Sequence, residues 1–190
     1  MQSRLPKTSR GVNSKMILNM LQDEIDEAIR VGTTRYRRKI DSVDSPNYAK
    51  GKKDGKLEHD LNAAIRSALA ECAVCLVTEQ VWGGSYTYSN RFHQYRRHLA
   101  DVGQKTEVRT IRTNDAIPIW EKDKGKTIVG CEVIDPERFT KVKIFGYVIA
   151  EDAMQPQYFD PSPDMNGWRY PTNLLTPITP PSWLEVSLID

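Results

Sequence analysis

The chain has 190 residues, 39% of them apolar, and 27 Lys and Arg residues against 25 Asp and Glu residues give a net charge of +2. A chain of this length forms about one domain and can fold without disulfides or a structural metal. It has no recognisable signal peptide and no apolar run approaching the roughly 20 residues that cross a bilayer, and its three cysteines are an odd number. We therefore expect a cytoplasmic protein without a membrane partner.

The N-terminal part of the chain predicts a helix followed by a basic loop. Residues 14–31 place apolar side chains at helical spacing, and Gly32 is predicted to end that helix. Residues 40–56 are rich in Asp, Ser, Pro, Gly and Lys, a composition typical of a loop. We assign residues 1–56 to a basic helical N-terminal extension.

A second, largely apolar helix is predicted from about Leu57 to Trp82, and its composition indicates that it is buried. Short β-branched and aromatic segments follow it, separated by turn residues, and predict a strand-rich sheet packed on the helix. These segments are residues 86–88, 106–111, 117–120, 127–134 and 141–149. We assign residues 57–160 to the core and the proline-rich residues 161–190 to a C-terminal wrap or tail.

Basic charge is concentrated in the first two thirds of the chain, because residues 127–190 carry only 4 Lys and Arg against 9 Asp and Glu. Basic clusters with interleaved aromatic residues attract a phosphate backbone, although an ordinary solvated surface has the same composition. The residues that we expect to follow a nucleic-acid backbone are Arg35, Arg37, Arg38, Lys52, Lys53, Arg96 and Arg97.

Three acidic residues stand in contexts that indicate chemistry. Glu71 interrupts an almost wholly apolar helical stretch, where a buried carboxylate needs a cation or a metal. Asp101 lies at a turn, and six residues later Glu107 lies in an alternating strand. The period of that strand places Lys105, Glu107 and Arg109 on one face. Cross-strand ion pairs are one interpretation of this face, and oxygen ligands for Mg²⁺ are the other.

In these residues the chain resembles the PD-(D/E)XK nuclease superfamily, and more closely small phage-encoded proteins of that type. The resemblance rests on Glu71 in its helix, on Asp101-Val-Gly103, on Glu107-Val-Arg109 and on residues 145–153, and it spans about residues 60–160. It implies an α/β fold with a restriction-endonuclease-like core, a mixed sheet flanked by helices. It also implies that Glu71, Asp101 and Glu107 bind Mg²⁺ or Mn²⁺ in an endonuclease that hydrolyses DNA.

One position departs from that pattern, because Arg109 stands where the family has a lysine. Arginine holds phosphate well but is not deprotonated in proteins, so it does not replace lysine conservatively. We expect Arg109 to contact the scissile phosphate, and Lys105, two residues earlier on the same strand face, is the alternative catalytic cation.

Two other functional interpretations stay open. A nuclease-fold protein without catalysis would bind DNA or a phage or host protein, and Arg109 favours this interpretation. Alternatively, the acids form a structural ion-pair network in an interaction module. For the nuclease, a homodimer would suit paired cuts in a duplex, and a phage-encoded protein would act in the host cytoplasm.

The remaining candidates are assigned to structure. Cys72 and Cys75 lie within the apolar helix and are expected to be core residues instead of zinc ligands. His93 and His98 are expected to be surface or structural residues. The acids expected to be solvated are Asp115, Glu121, Asp123, Glu151 and Asp152.

Overall fold

The structure, a computed structural model, describes residues 15–41, 57–82, 100–111, 115–163 and 165–189, with the backbone alone at 38–41 and 57–60. The helices of these segments are α1 (Gln22–Asp41), α2 (Leu57–Thr78) and the short α3 (Ala150–Ala153). Their strands are β1 (Lys15–Asn19), β2 (Thr106–Thr110), β3 (Ala116–Ile119), β4 (Thr127–Val133), β5 (Lys141–Ile149), β6 (Phe159–Asp160), β7 (Gly167–Pro171) and β8 (Val186–Ile189).

The strands form two sheets. The larger sheet has the order β2-β4-β5-β1-β8, with β2 parallel to β4 and the other neighbours antiparallel. The smaller sheet is antiparallel and has the order β3-β7-β6. The expected mixed α and β class, with a mixed sheet and flanking helices, is confirmed at this level.

Both faces of the larger sheet are covered. Its helix-facing side packs against α1 and α2 through a core that includes Met16, Ile25, Ala28, Leu69, Val74, Val129 and Val142. Its other side packs against the smaller sheet through Ile117, Ile119, Ile128, Phe145 and Leu175. Strand β2 lies at the edge of the larger sheet, where it contacts both helix α2 and strand β3 of the smaller sheet.

Helix α2 is the central helix of the core. Its Leu61–Thr78 window is long and apolar enough to cross a membrane by composition alone, but half of that window is buried inside the protein. It packs against α1 and the larger sheet. The core helix of a domain meets the same length and composition test, so this window does not indicate a membrane span.

The first predicted helix differs from the structure at both ends. Residues 15–19 form β1, which pairs with β5 and β8, so the prediction of a helix there is wrong. Helix α1 continues past Gly32 to Asp41, so the predicted stop is also wrong. A Cβ atom at Gly32 would lie 2.5 Å from the Cα atom of Ile65. The glycine therefore permits the close approach of α1 and α2.

The other predicted elements agree more closely. Helix α2 and strands β2 to β5 fall where the sequence predicts them. The proline-rich C-terminal region contains β7 and also β8, which pairs with β1 in the larger sheet. The predicted strand at 86–88, most of the loop at 40–56, His93 and His98 lie outside the described residues.

Candidate functional site

A network of charged side chains surrounds the edge strand β2. We call it the β2 charge cluster, and its members are Glu71, Asp101, Glu107, Asp123, Arg35, Arg109 and Lys126. Four carboxylates and three cations leave one negative charge in excess when all seven groups are ionised. The distribution of that excess charge indicates where a further cation would be stabilised.

The α2 side of the cluster is a closed ion pair between two helices. The guanidinium of Arg35 in α1 donates to both oxygens of Glu71, with Nη1 to Oε1 and Nη2 to Oε2 distances of 2.6 Å each. Trp82 Nε1 donates to Oε2 at 3.0 Å, and the side chains of Glu71 and Arg35 are only 3% and 10% exposed. The predicted buried carboxylate of α2 is confirmed, and its partner is arginine.

A second closed pair joins β2 to the turn after β3. Asp123 ends a 3₁₀ turn, where its Oδ2 accepts the backbone N–H of Trp120 at 2.9 Å. Its Oδ1 accepts Nη2 of Arg109 at 2.8 Å. The side chain is fully buried, so the expectation that Asp123 is solvated is wrong. This carboxylate caps the turn and neutralises Arg109.

Arg109 is held by the protein through all three of its nitrogens. Besides contacting Asp123, it donates from Nη1 to Glu107 Oε2 at 3.2 Å and from Nε to the Pro118 carbonyl at 3.3 Å. Its guanidinium also lies over the Trp120 ring, 5.3 Å from the centroid. Burial opposes its charge, but the carboxylates of Asp123 and Glu107 outweigh this effect and raise the pKa of Arg109. Arg109 therefore stays cationic.

Glu107 bridges two cations that come from neighbouring strands. Its Oε1 accepts Lys126 Nζ at 2.7 Å, and its Oε2 accepts Arg109. The contact between Glu107 and Arg109 confirms that they share one face of β2. Lys126 immediately precedes β4, and the parallel pairing of β2 with β4 brings it beside Glu107. Lys105 is exposed before β2, and no described contact joins it to a carboxylate of the cluster.

Asp101 has the least compensated charge of the cluster. Its Oδ2 accepts the backbone N–H of Val108 at 2.9 Å, and no cation of the described residues forms a hydrogen bond with it. Burial raises the pKa of Asp101 from 3.8 to about 7, and the charges of Glu71 and Glu107 act in the same direction. The Val108 N–H and the charge of Arg109 offset part of this effect. The excess negative charge is thus concentrated at Asp101.

The acidic residues of the cluster could hold a metal ion only with fewer protein ligands than the three that the sequence predicts. Among the described residues, no group of three or more His, Cys, Asp or Glu side chains has an arrangement that would hold a metal. Both oxygens of Glu71 are bound by the buried Arg35, and both oxygens of Glu107 are bound by Lys126 and Arg109, so either carboxylate would have to share or exchange these partners to bind a metal directly. Mg²⁺, however, is commonly bound by one or two carboxylates together with water and substrate phosphate. Asp101 has one oxygen that accepts no hydrogen bond from the described residues, and Glu107, which shares an oxygen with the more exposed Lys126, is the second candidate for such a ligand.

The residues expected to bind nucleic acid are placed unevenly. The guanidinium of Arg35 is buried against Glu71, and Arg37 is exposed on α1. The others have no described side chain: Arg38, Lys52, Lys53, Arg96 and Arg97. Backbone binding by Arg37 and by these residues stays a prediction.

Two members of the cluster were not selected from the sequence, and each had only a weak signal. Asp123 stands three residues after Trp120 and before a Lys-Gly turn, a spacing at which an aspartate can cap a tight turn. Lys126 is the residue before a predicted strand. The neighbour of that strand depends on tertiary pairing, which the sequence pattern does not give.

The cysteines lie apart from this chemistry. All three are free, and Cys72 and Cys131 are buried in the core, as predicted for Cys72. Burial raises the pKa of Cys72 to about 12, so its thiol is unreactive near neutral pH. Comparison of the chain with protein-family models, with curated proteins and with solved structures finds no match.

Proposed function

We propose that the protein is a metal-dependent endonuclease of the PD-(D/E)XK type, with a restriction-endonuclease-like core, that hydrolyses DNA in the cytoplasm. The observation that carries this proposal is the partly buried Asp101 carboxylate, which has two acidic neighbours and no described cation partner. A carboxylate whose charge is destabilised in this way is typical of a functional site. A divalent cation would relieve the repulsion.

In this proposal, Asp101 and Glu107 hold Mg²⁺ or Mn²⁺. When bound, such an ion polarises the phosphodiester and lowers the pKa of an attacking water. Glu71 supports the site from α2, because Arg35 fixes its carboxylate while its charge still raises the pKa of Asp101. This arrangement replaces three direct ligands by two ligands and one positioning acid.

Arg109 acts in this proposal as a positioning residue. It holds Oε2 of Glu107 and is itself fixed by Asp123 and by the carbonyl of Pro118. These partners use three of its five N–H donors, and its side chain is only 13% exposed, so a phosphate would reach Arg109 less readily than a more exposed cation. The presence of arginine in place of the family's lysine is then compatible with catalysis, provided that another cation contacts the substrate.

A second candidate function is favoured by the ion pairs themselves. Glu71, Glu107 and Asp123 each accept from a cation of the protein, so most of the cluster is neutralised without a metal. A nuclease-fold protein that binds DNA, or a phage or host protein, without cutting DNA would retain such pairs. The two candidates differ in turnover, because only the nuclease requires a divalent ion to cleave DNA.

The test is cleavage of supercoiled plasmid and single-stranded DNA in Mg²⁺, Mn²⁺ or EDTA. We expect metal-dependent cleavage by the wild type and at least about a 100-fold loss in Asp101→Asn and in Glu107→Gln. Asn keeps the oxygen that accepts the Val108 N–H. The matched control is Glu121→Gln, an exposed acid that should retain activity within about twofold.

The outcomes separate the candidates. Cleavage that persists in EDTA or in Asp101→Asn would contradict the proposed site. DNA binding without cleavage by the wild type would support the second candidate, and neither binding nor cleavage would contradict both. Direct linearisation of the plasmid would indicate paired cuts, for which we expect a homodimer.

A further inference from the structure

We infer that Lys126 contacts a phosphate oxygen of the substrate at the Asp101 and Glu107 site. From the sequence alone, the phosphate contact is expected from Arg109 or Lys105. The inference rests on the proposed function, since it names the residue that would bind the reacting phosphodiester.

Accessibility distinguishes the three cations of the cluster. The Lys126 side chain is 23% exposed, compared with 13% for Arg109 and 10% for Arg35. Lys126 is therefore the cation of the cluster that a ligand arriving from solvent reaches most readily. Its Nζ nevertheless lies 2.7 Å from Oε1 of Glu107, one of the two proposed ligands.

Lys126 has unused donors, as has Arg109, so this feature permits the contact while accessibility selects the residue. An ammonium group has three N–H donors, and within the described part of the chain only Glu107 accepts from Lys126 Nζ. Two donors are left for an anionic ligand. A phosphodiester has two unesterified oxygens, and lysine binds such oxygens as a compact point charge. The same group that neutralises Glu107 can therefore donate to the substrate.

The backbone around Lys126 is fixed on both sides. The carbonyl of Lys126 accepts the N–H of Ala150 at 3.0 Å, and the following Thr127 donates to the carbonyl of Lys105 at 2.9 Å. These bonds hold the Cα atom of Lys126 between β2 and α3 while its long side chain remains adjustable. A functional group carried by a rigid segment is well placed to contact a reacting atom.

The test compares Lys126→Met with Lys124→Met, an exposed lysine two residues earlier that pairs with Glu121. Single-turnover DNA cleavage is measured in Mg²⁺, and binding of a fluorescent DNA duplex is measured in Ca²⁺ by anisotropy. We expect Lys126→Met to lower the cleavage rate by about 100-fold or more and Lys124→Met to leave it within about twofold. The affinity for DNA should fall more in Lys126→Met than in Lys124→Met.

The results separate the inference from the proposed function. If the wild type cuts and Lys126→Met cuts equally well, the inference is wrong while the nuclease proposal stands. If the wild type does not cut but Lys126→Met binds DNA at least about fivefold more weakly than Lys124→Met, the phosphate contact stands and the nuclease proposal fails. Absence of both effects contradicts both.

A conservative variant keeps the test decisive if Lys126→Met does not fold. If thermal unfolding shows that Lys126→Met is not folded, Lys126→Arg decides the matter, because arginine preserves the charge beside Glu107. The planar guanidinium does not reproduce the geometry of an ammonium group. We expect Lys126→Arg to cleave at least about tenfold more slowly than the wild type, and an unchanged rate would overturn the inference.

Discussion

The two ends of the β2 charge cluster differ in how completely their ion pairs are closed. At the α1–α2 end, one guanidinium occupies both oxygens of Glu71, and Trp82 adds a third bond. At the β2–β4 end, Glu107 is shared between two cations, and one of them, Lys126, reaches solvent. The closed end stabilises the fold and fixes the Glu71 carboxylate, whereas the open end can exchange a protein partner for a ligand. Disruption of the first should cost stability, and disruption of the second should cost function.

The largest effect on stability is expected from Arg35→Met at the closed end. This variant leaves Glu71 buried without its cation and close enough to Asp101 to influence that carboxylate. Removing one partner of a buried pair costs about 3–5 kcal/mol. Urea unfolding followed by circular dichroism should show a loss of this size in the free energy of unfolding.

The double variant Arg35→Met, Glu71→Leu sharpens that prediction. An apolar pair of similar volume often replaces a buried ion pair at little cost, so most of the lost stability should return. Equal losses in the single and double variants would show that Arg35 acts mainly through packing. If the double variant folds but no longer cleaves DNA, while Asp101→Asn behaves as proposed, the Glu71 carboxylate is needed for cleavage as well as for the fold.

Replacement of Asp101 should give the next largest effect on the free energy of unfolding. Here the variant should be more stable than the wild type. The unfolded chain releases this proton near pH 3.8, whereas the folded protein keeps it until about pH 7. The folded state therefore carries more protons across that interval, and its stability falls as the pH rises. A thousandfold change in proton affinity corresponds to roughly 4 kcal/mol, and partial contact with water reduces the expected effect to about 2 kcal/mol.

The variant Asp101→Asn isolates this contribution. Its stability relative to the wild type should rise from near zero at pH 4 to about 2 kcal/mol at pH 8, because the amide does not ionise. Denaturation curves at several pH values measure the difference. A wild type as stable as Asp101→Asn at pH 8 would contradict the uncompensated charge. Higher stability together with lost cleavage is the combination expected at a functional residue.

Some of this arrangement is predictable from sequence because it depends on local periodicity. Glu71 is conspicuous as a charge in an apolar helix, and Glu107 and Arg109 share a face because a strand has a period of two. The cations that pair with these acids cannot be predicted in the same way. Arg35 meets Glu71 across 36 residues through helix packing, and no pattern in either segment specifies that distance.

The open end of the cluster was harder to predict for a related reason. Lys126 reaches Glu107 only because β2 and β4 are parallel neighbours, with the residues of β3 intervening in the chain. Asp123 is buried because its turn folds back onto Arg109. Strand β1 was missed since its five residues carry too few periods to be separated from the helical pattern that follows. Long-range pairing decides all three cases.

A smaller effect at the closed end is expected from Gly32→Ala. Within an isolated helix this change stabilises by up to about 1 kcal/mol, but here the new Cβ atom would lie 2.5 Å from the Cα atom of Ile65. Separating α1 from α2 should instead cost about 1–3 kcal/mol and loosen the pair of Arg35 with Glu71. Urea unfolding gives the sign directly, and a stabilised variant would show that the two helices do not need this close approach.

The smallest effect is expected where an ion pair lies outside the cluster altogether. Glu121 and Lys124 form an exposed pair on the same turn that carries the buried Asp123. Glu121→Gln should change the free energy of unfolding by less than about 0.5 kcal/mol, and Lys124→Met should behave alike, because water already screens both charges. Urea unfolding at low and high salt measures this, and a loss above about 1 kcal/mol would contradict it. Such a loss would mean that the exposed pair stabilises the turn that holds Asp123 against Arg109. The exposed pair would then contribute to the charge cluster through that turn, although neither side chain has a described ion pair with a member of the cluster.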